Sequence, residues 1–63
     1  MYSYVLVFRH NSDKTVTIDL EKDMTQELKT AWENSDKLTI NIDNKGTLMV
    51  DMSDVIVIHT SII

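Results

Sequence analysis

The side chains that could do chemistry include two histidines, which lie far apart in the sequence. His10 follows Arg9 in a polar stretch, and His59 lies in an apolar run. Two histidines cannot hold a structural metal by themselves, because such sites use four ligands and the chain has no cysteine. We interpret His10 as a solvated loop residue. His59 is interpreted as an edge residue, or as one that makes an association pH-dependent.

Carboxylates are the other candidates. Asp51 and Asp54 flank a break between two apolar segments, and paired carboxylates can do acid–base work or bind a divalent cation. No third ligand is apparent, and Asp54 is typical of a turn. The segment 43–46, Asp-Asn-Lys-Gly, has Lys45 where a calcium loop needs a ligand and is interpreted as a turn. With no nucleophile motif and a single glycine, the sequence predicts no enzyme, no cofactor and no metal.

The charge pattern limits the partners. Ten acids oppose six bases, the formal net charge is −4, and the bases are scattered singly. Direct binding to nucleic acid or to an anionic membrane needs clustered Lys and Arg, so neither is expected. No signal peptide or membrane-spanning run is recognisable, and we predict a cytoplasmic protein.

Hydropathy patterns predict the order ββαβββ in one domain over residues 1–63. The predicted strands are Tyr2–Phe8, Thr15–Leu20, Leu38–Ile42, Leu48–Met52 and Val55–Thr60. The fold class is α+β: a mostly antiparallel five-stranded sheet or partly open barrel, with one helix packed on one face. The segment 10–14 is predicted as a hairpin loop, and Gly46 as a turn residue with positive φ.

The predicted helix runs from an N-cap at Asp23 to Asn34, with Gln26 completing a capping box. Its apolar stripe comprises Met24, Leu28, Ala31 and Trp32. We predict that Trp32 packs in the core, with an exposed anchor for a partner as the alternative.

The first and last strands are apolar on both faces, and one helix covers one face only. Their second faces are therefore left without cover, and such patches mark interfaces. The predicted interface consists of Val5, Val7, Val55, Val57 and His59. Closure of the sheet into a barrel would bury the same residues and is the competing explanation.

Two functions of different classes follow. The first is a non-enzymatic binding module that forms a homo-oligomer through this face. A core in a chain of 63 residues supplies only about 3–5 kcal/mol, so a partner chain is the expected additional support. The alternative is a small acidic inhibitor, of the type that phages and mobile elements encode, which blocks a host protein or a nucleic-acid enzyme. It would present an apolar patch to its target, or an acidic surface that comprises Asp19, Glu21, Asp23 and Glu27.

Overall fold

A computed structural model describes the backbone of residues 1–63 and every side chain except that of Ser12. The elements are β1 (Tyr2–Phe8), β2 (Asn11–Leu20), α1 (Thr25–Glu33), β3 (Lys37–Asn41), β4 (Thr47–Asp51), a 3₁₀ turn (Met52–Asp54) and β5 (Val55–Ile62). The predicted α+β class and element order are confirmed.

The five strands form two antiparallel sheets. One sheet has the order β2-β1-β5, and the other is the β3–β4 hairpin. The predicted single five-stranded sheet or partly open barrel is therefore not confirmed. Alternation along a strand shows which side is apolar, but it does not show which strands pair.

One core joins the two sheets and the helix. The buried side chains of the three-stranded sheet are Tyr4, Leu6, Ile18, Leu20 and Val55, and the opposite layer supplies Leu28, Ala31, Ile40, Val50 and Met52. The helix and the hairpin thus cover one face of the sheet together. We call the other face, which neither of them covers, the outer face.

The first hairpin is tighter than predicted. Its turn lies at Arg9 and His10, and β2 already begins at Asn11, so most of the predicted loop 10–14 is strand. The register shifts between Val7 and Phe8, which lie opposite Thr15 and Asn11, so residues 12–14 of β2 have no Cα partner on β1.

The helix begins one residue later than predicted. Met24 is its N-cap and makes no side-chain capping bond. Asp23 accepts a hydrogen bond from the Thr25 N–H at 3.0 Å, which satisfies one of the helix's first free donors. The Gln26 amide donates to Thr30 at 3.2 Å and forms no capping box.

Trp32 does not pack in the core as predicted. Leu28 and Ala31 are buried, but Trp32 is 40% exposed. Its indole N–H donates to the Val55 carbonyl at 2.8 Å, which holds the ring at the boundary between α1 and β5. The prediction for Gly46 is confirmed, with a φ of 119°.

Candidate interaction site at the edge of the three-stranded sheet

Four of the five predicted interface residues lie together on the outer face. Val5 is opposite His59 and Val7 is opposite Val57 in the β1–β5 register. Val57 is 47% exposed, whereas Val5 and Val7 are half-buried because β1 is the central strand. The first and last strands are neighbours in the sheet, and their outer face has no cover from the helix or the hairpin.

The prediction that Val55 lies on the outer face is wrong. It is 2% exposed and belongs to the core. The register pairs Phe8 with Val55 and Val7 with Val57, so Ile56 is an extra residue on β5. A bulge of one residue reverses the side-chain alternation, which turns Val55 inward and leaves Ile56 40% exposed.

Polar residues border the outer apolar patch. On β2, Thr15 lies opposite Val7, Thr17 opposite Val5, and Asp19 opposite Ser3. The uncovered apolar area is therefore concentrated at the β5 side of the sheet.

The edge of β5 presents backbone groups to solvent at alternate residues. The Ile63 N–H donates to the Met1 carbonyl at 2.9 Å, and the Met1 amine donates to the Ile63 carbonyl at 3.3 Å. In an antiparallel pair, such hydrogen-bonded positions alternate with non-hydrogen-bonded ones. It follows that Val57, His59 and Ser61 direct their N–H and C=O groups toward β1. The groups of Ile58, Thr60 and Ile62 point away from β1, and β5 is the last strand of its sheet.

A groove runs between this edge and the helix. It has a volume of about 240 Å³ and is lined by Thr25, Leu28, Lys29, Trp32, Glu33, Ile58 and Thr60. We call it the β5 groove. Its apolar walls come from Trp32, Leu28 and Ile58. Farther along the strand the inward side of β5 has no cover, and Ile62 is 80% exposed.

A more polar cavity of about 370 Å³ continues the β5 groove, since both are lined by Thr25 and Thr60. The Tyr4 hydroxyl lies in it and donates to Asp23 at 3.2 Å, while accepting the Met24 N–H at 2.8 Å. The Thr25 backbone N–H, the Thr25 hydroxyl and the Tyr4 hydroxyl lower the pKa of Asp23. This end of the groove is anionic.

The remaining polar candidates, His10, Asp51 and Asp54, lie in or beside turns. His10 contacts the Asp54 carboxylate at 2.5 Å, with the histidine side chain 85% exposed. Asp51 accepts hydrogen bonds from the Ser53 hydroxyl at 2.6 Å and from its N–H at 3.1 Å, and these bonds lower the pKa of Asp51. Within the described side chains, no cluster of three or more His, Cys, Asp or Glu could hold a metal ion.

The four acids of the predicted acidic surface occupy different settings. Asp19 lies on the outer face, on the strand that pairs with β1. Glu21 lies in the bend after β2, and Asp23 lies at the polar end of the β5 groove. Glu27 lines a separate groove between α1 and β3. The structure does not gather them around one cavity.

Comparison of the chain with protein-family models, with curated proteins and with solved structures gives no match. In the described part of the chain, no helix has the length and apolar character needed to cross a membrane.

Proposed function

We propose that this chain is a non-enzymatic interaction module that associates with further copies of itself through the β5 side of its three-stranded sheet. The observation that carries the proposal is the number of exposed apolar side chains that one strand contributes. Of the seven large ones that are exposed, four belong to β5 or directly follow it. They are Ile56, Val57, Ile62 and Ile63.

The composition of β5 supports this proposal. The sequence of the strand, VIVIHTSI, contains no Asp, Glu, Lys or Arg. Proteins usually protect an exposed edge with charges, proline or a covering element, because an unprotected apolar edge recruits other strands. A defined partner strand would satisfy this edge and suppress nonspecific aggregation.

Association would also add stability to a small fold. A single core of this size supplies only about 3–5 kcal/mol, and no disulfide adds to it because the chain has no cysteine. Burial of the exposed isoleucines between two copies would stabilise the folded state by mass action.

The acidic inhibitor is the weaker hypothesis on this geometry. An acidic surface that blocks a nucleic-acid enzyme needs carboxylates presented together, whereas Asp19, Asp23 and Glu27 lie in separate settings. Asp23 is also occupied by its hydrogen bonds to Thr25 and Tyr4.

The test is the mass in solution, measured by light scattering on a sizing column across a concentration series. We expect a defined multiple of the 7.3 kDa chain mass. Val57→Glu should weaken association, while Met49→Glu is the matched control because Met49 is 79% exposed on the other sheet. A 7.3 kDa species at every concentration would contradict the proposal.

A further inference from the structure

We infer that two copies pair edge to edge, with β5 antiparallel to β5 of the second copy and Thr60 on the two-fold axis. The pairing would join two three-stranded sheets into one continuous sheet of six strands. This inference rests on the proposed self-association and specifies its contact and register.

The alternation of backbone directions along β5 selects this register. Only Ile58, Thr60 and Ile62 direct backbone groups away from β1, so these residues must face one another across the new contact. All three find partners only when Thr60 pairs with Thr60 of the second copy and Ile58 pairs with Ile62. Each such pair exchanges two hydrogen bonds, which gives about six in total. A shift by two residues would bring the bulged Ile56 into the ladder and lose pairs.

The side chains are self-complementary in this register. Ile62, which is 80% exposed, would lie opposite Ile58 of the second copy, beside the Trp32 and Leu28 walls of its β5 groove. On the outer face, Ile63 would lie opposite Val57. A two-fold contact requires each patch to fit its own copy, and here Ile62 and Ile63 each meet an apolar side chain of the second copy.

Charge selects β5 over the other edge of the sheet. The edge strand β2 carries Asp13, Lys14 and Asp19, whereas β5 carries no Lys, Arg, Asp or Glu. Lys29 and Glu33 beside the β5 groove lie 4.0 Å apart and offset each other. The Asp23 carboxylate at the polar end of the groove accepts hydrogen bonds from Thr25 and Tyr4. A chain with a net charge of −4 can therefore meet its own copy here without direct repulsion between strands.

Stacking of two outer faces would be the other self-contact, and the structure favours it less. Val5 and Val7 are already half-buried between their neighbouring strands, so stacking would remove little further apolar surface from water. It would also leave Ile62 and the backbone groups of Thr60 exposed.

Single cysteines test the register, since the chain has none of its own. Residues on the axis would have Cα atoms about 5.5 Å apart, within the range that a disulfide bridges. Thr60→Cys should therefore form a covalent dimer under mild oxidation. His59→Cys and Ser61→Cys should cross-link at least about tenfold more slowly, because their symmetry mates would be roughly 8 Å apart. Faster cross-linking of either neighbour would overturn this register.

A pair of lysine variants tests the contact itself. Thr60→Lys places two like charges face to face on the axis and should raise the dissociation constant about tenfold or more. Thr17→Lys is the matched control, because Thr17 is an exposed threonine on the outer face. Dissociation by Thr17→Lys but not by Thr60→Lys would overturn the edge contact while leaving self-association intact. A monomeric parent chain would contradict the proposed function as well.

Discussion

The two edges of the three-stranded sheet are built differently. On β2 the inward side chains Ile18 and Leu20 are each 2% exposed, and the strand carries charged residues along its length. On β5 the inward Ile58 is only half-buried, Thr60 and Ile62 are exposed, and the strand contains no Asp, Glu, Lys or Arg.

This difference shows how far the covering layer reaches. The helix and the β3–β4 hairpin bury β1, β2 and the beginning of β5, where Val55 and Trp32 meet. They do not cover the far half of β5. The β2 edge is therefore complete within one chain, and the β5 edge is completed by a second copy in our account.

The largest expected effect is a difference in the free energy of unfolding between substitutions on the two edge strands. Ile18→Ala should lower the free energy of unfolding by about 2–5 kcal/mol, because a fully buried side chain leaves a cavity. Urea denaturation should show this loss at every protein concentration. Ile58→Ala should cost less in dilute solution and show a loss that grows with concentration. If both variants lost the same free energy of unfolding at every protein concentration, the two edges would not differ as we propose.

Proline substitutions test the alternation along β5. His59→Pro removes an N–H that faces β1 and should lower the free energy of unfolding by about 1–3 kcal/mol, since the bonded carbonyl is left unsatisfied. Thr60→Pro should leave the fold intact and block dimer formation, because its N–H points outward. Urea denaturation of dilute samples measures the first effect and light scattering the second. If Thr60→Pro destabilised the fold and His59→Pro only blocked dimer formation, the assigned directions of the backbone groups would be wrong.

A smaller effect is expected at Trp32, where the indole closes the beginning of the β5 edge. Trp32→Phe keeps an aromatic ring but leaves the Val55 carbonyl without its 2.8 Å donor. We expect a loss of about 0.5–1.5 kcal/mol in thermal or urea unfolding. An unchanged stability would mean that the hydrogen bond is replaced by water at no cost.

The smallest expected effect is a pH dependence of stability from two carboxylates, Asp23 at the polar end of the β5 groove and Asp51 before the 3₁₀ turn. The pKa of Asp23 is held below its ordinary value of 3.8 by the hydrogen bonds from Thr25, and that of Asp51 by those from Ser53. A lowered folded-state pKa gives stability that is present above pH 3.8 and is lost as the pH falls through the lowered value. Melting temperatures should therefore fall in acid. Asp23→Asn should flatten the fall, and adding Asp51→Asn should flatten it further. An unchanged slope in the double variant would contradict this assignment.

The sequence was informative where the two faces of a strand differ. The alternation of Val16, Ile18 and Leu20 with Thr and Asp correctly predicted residues 15–20 of β2 and the face that they turn inward. In the segment Val55–Ile58 every residue is apolar, so the pattern carries no information about which side faces the core. The bulge at Ile56 turns the Val55 side chain toward the core, so the predicted outward position of Val55 is wrong.

Two other features depend on long-range packing. The grouping of strands into a sheet of three and a hairpin follows from how the helix and hairpin share one face, which no local pattern encodes. Trp32 has the spacing of a core residue, but the carbonyl of Val55, 23 positions away in the sequence, draws its indole to the edge. The lack of charge in β5 favours a paired or buried strand, so its place at the edge of the sheet could not be predicted from the sequence.

Amide hydrogen exchange of β5, followed by NMR at two protein concentrations, tests the central claim most directly. At high concentration we expect Ile58, Thr60 and Ile62 to be protected like His59 and Ser61. On dilution the three outward-facing amides should lose protection, while His59 and Ser61 keep theirs through β1. Rapid exchange of Ile58, Thr60 and Ile62 at every concentration would contradict edge-to-edge pairing through β5.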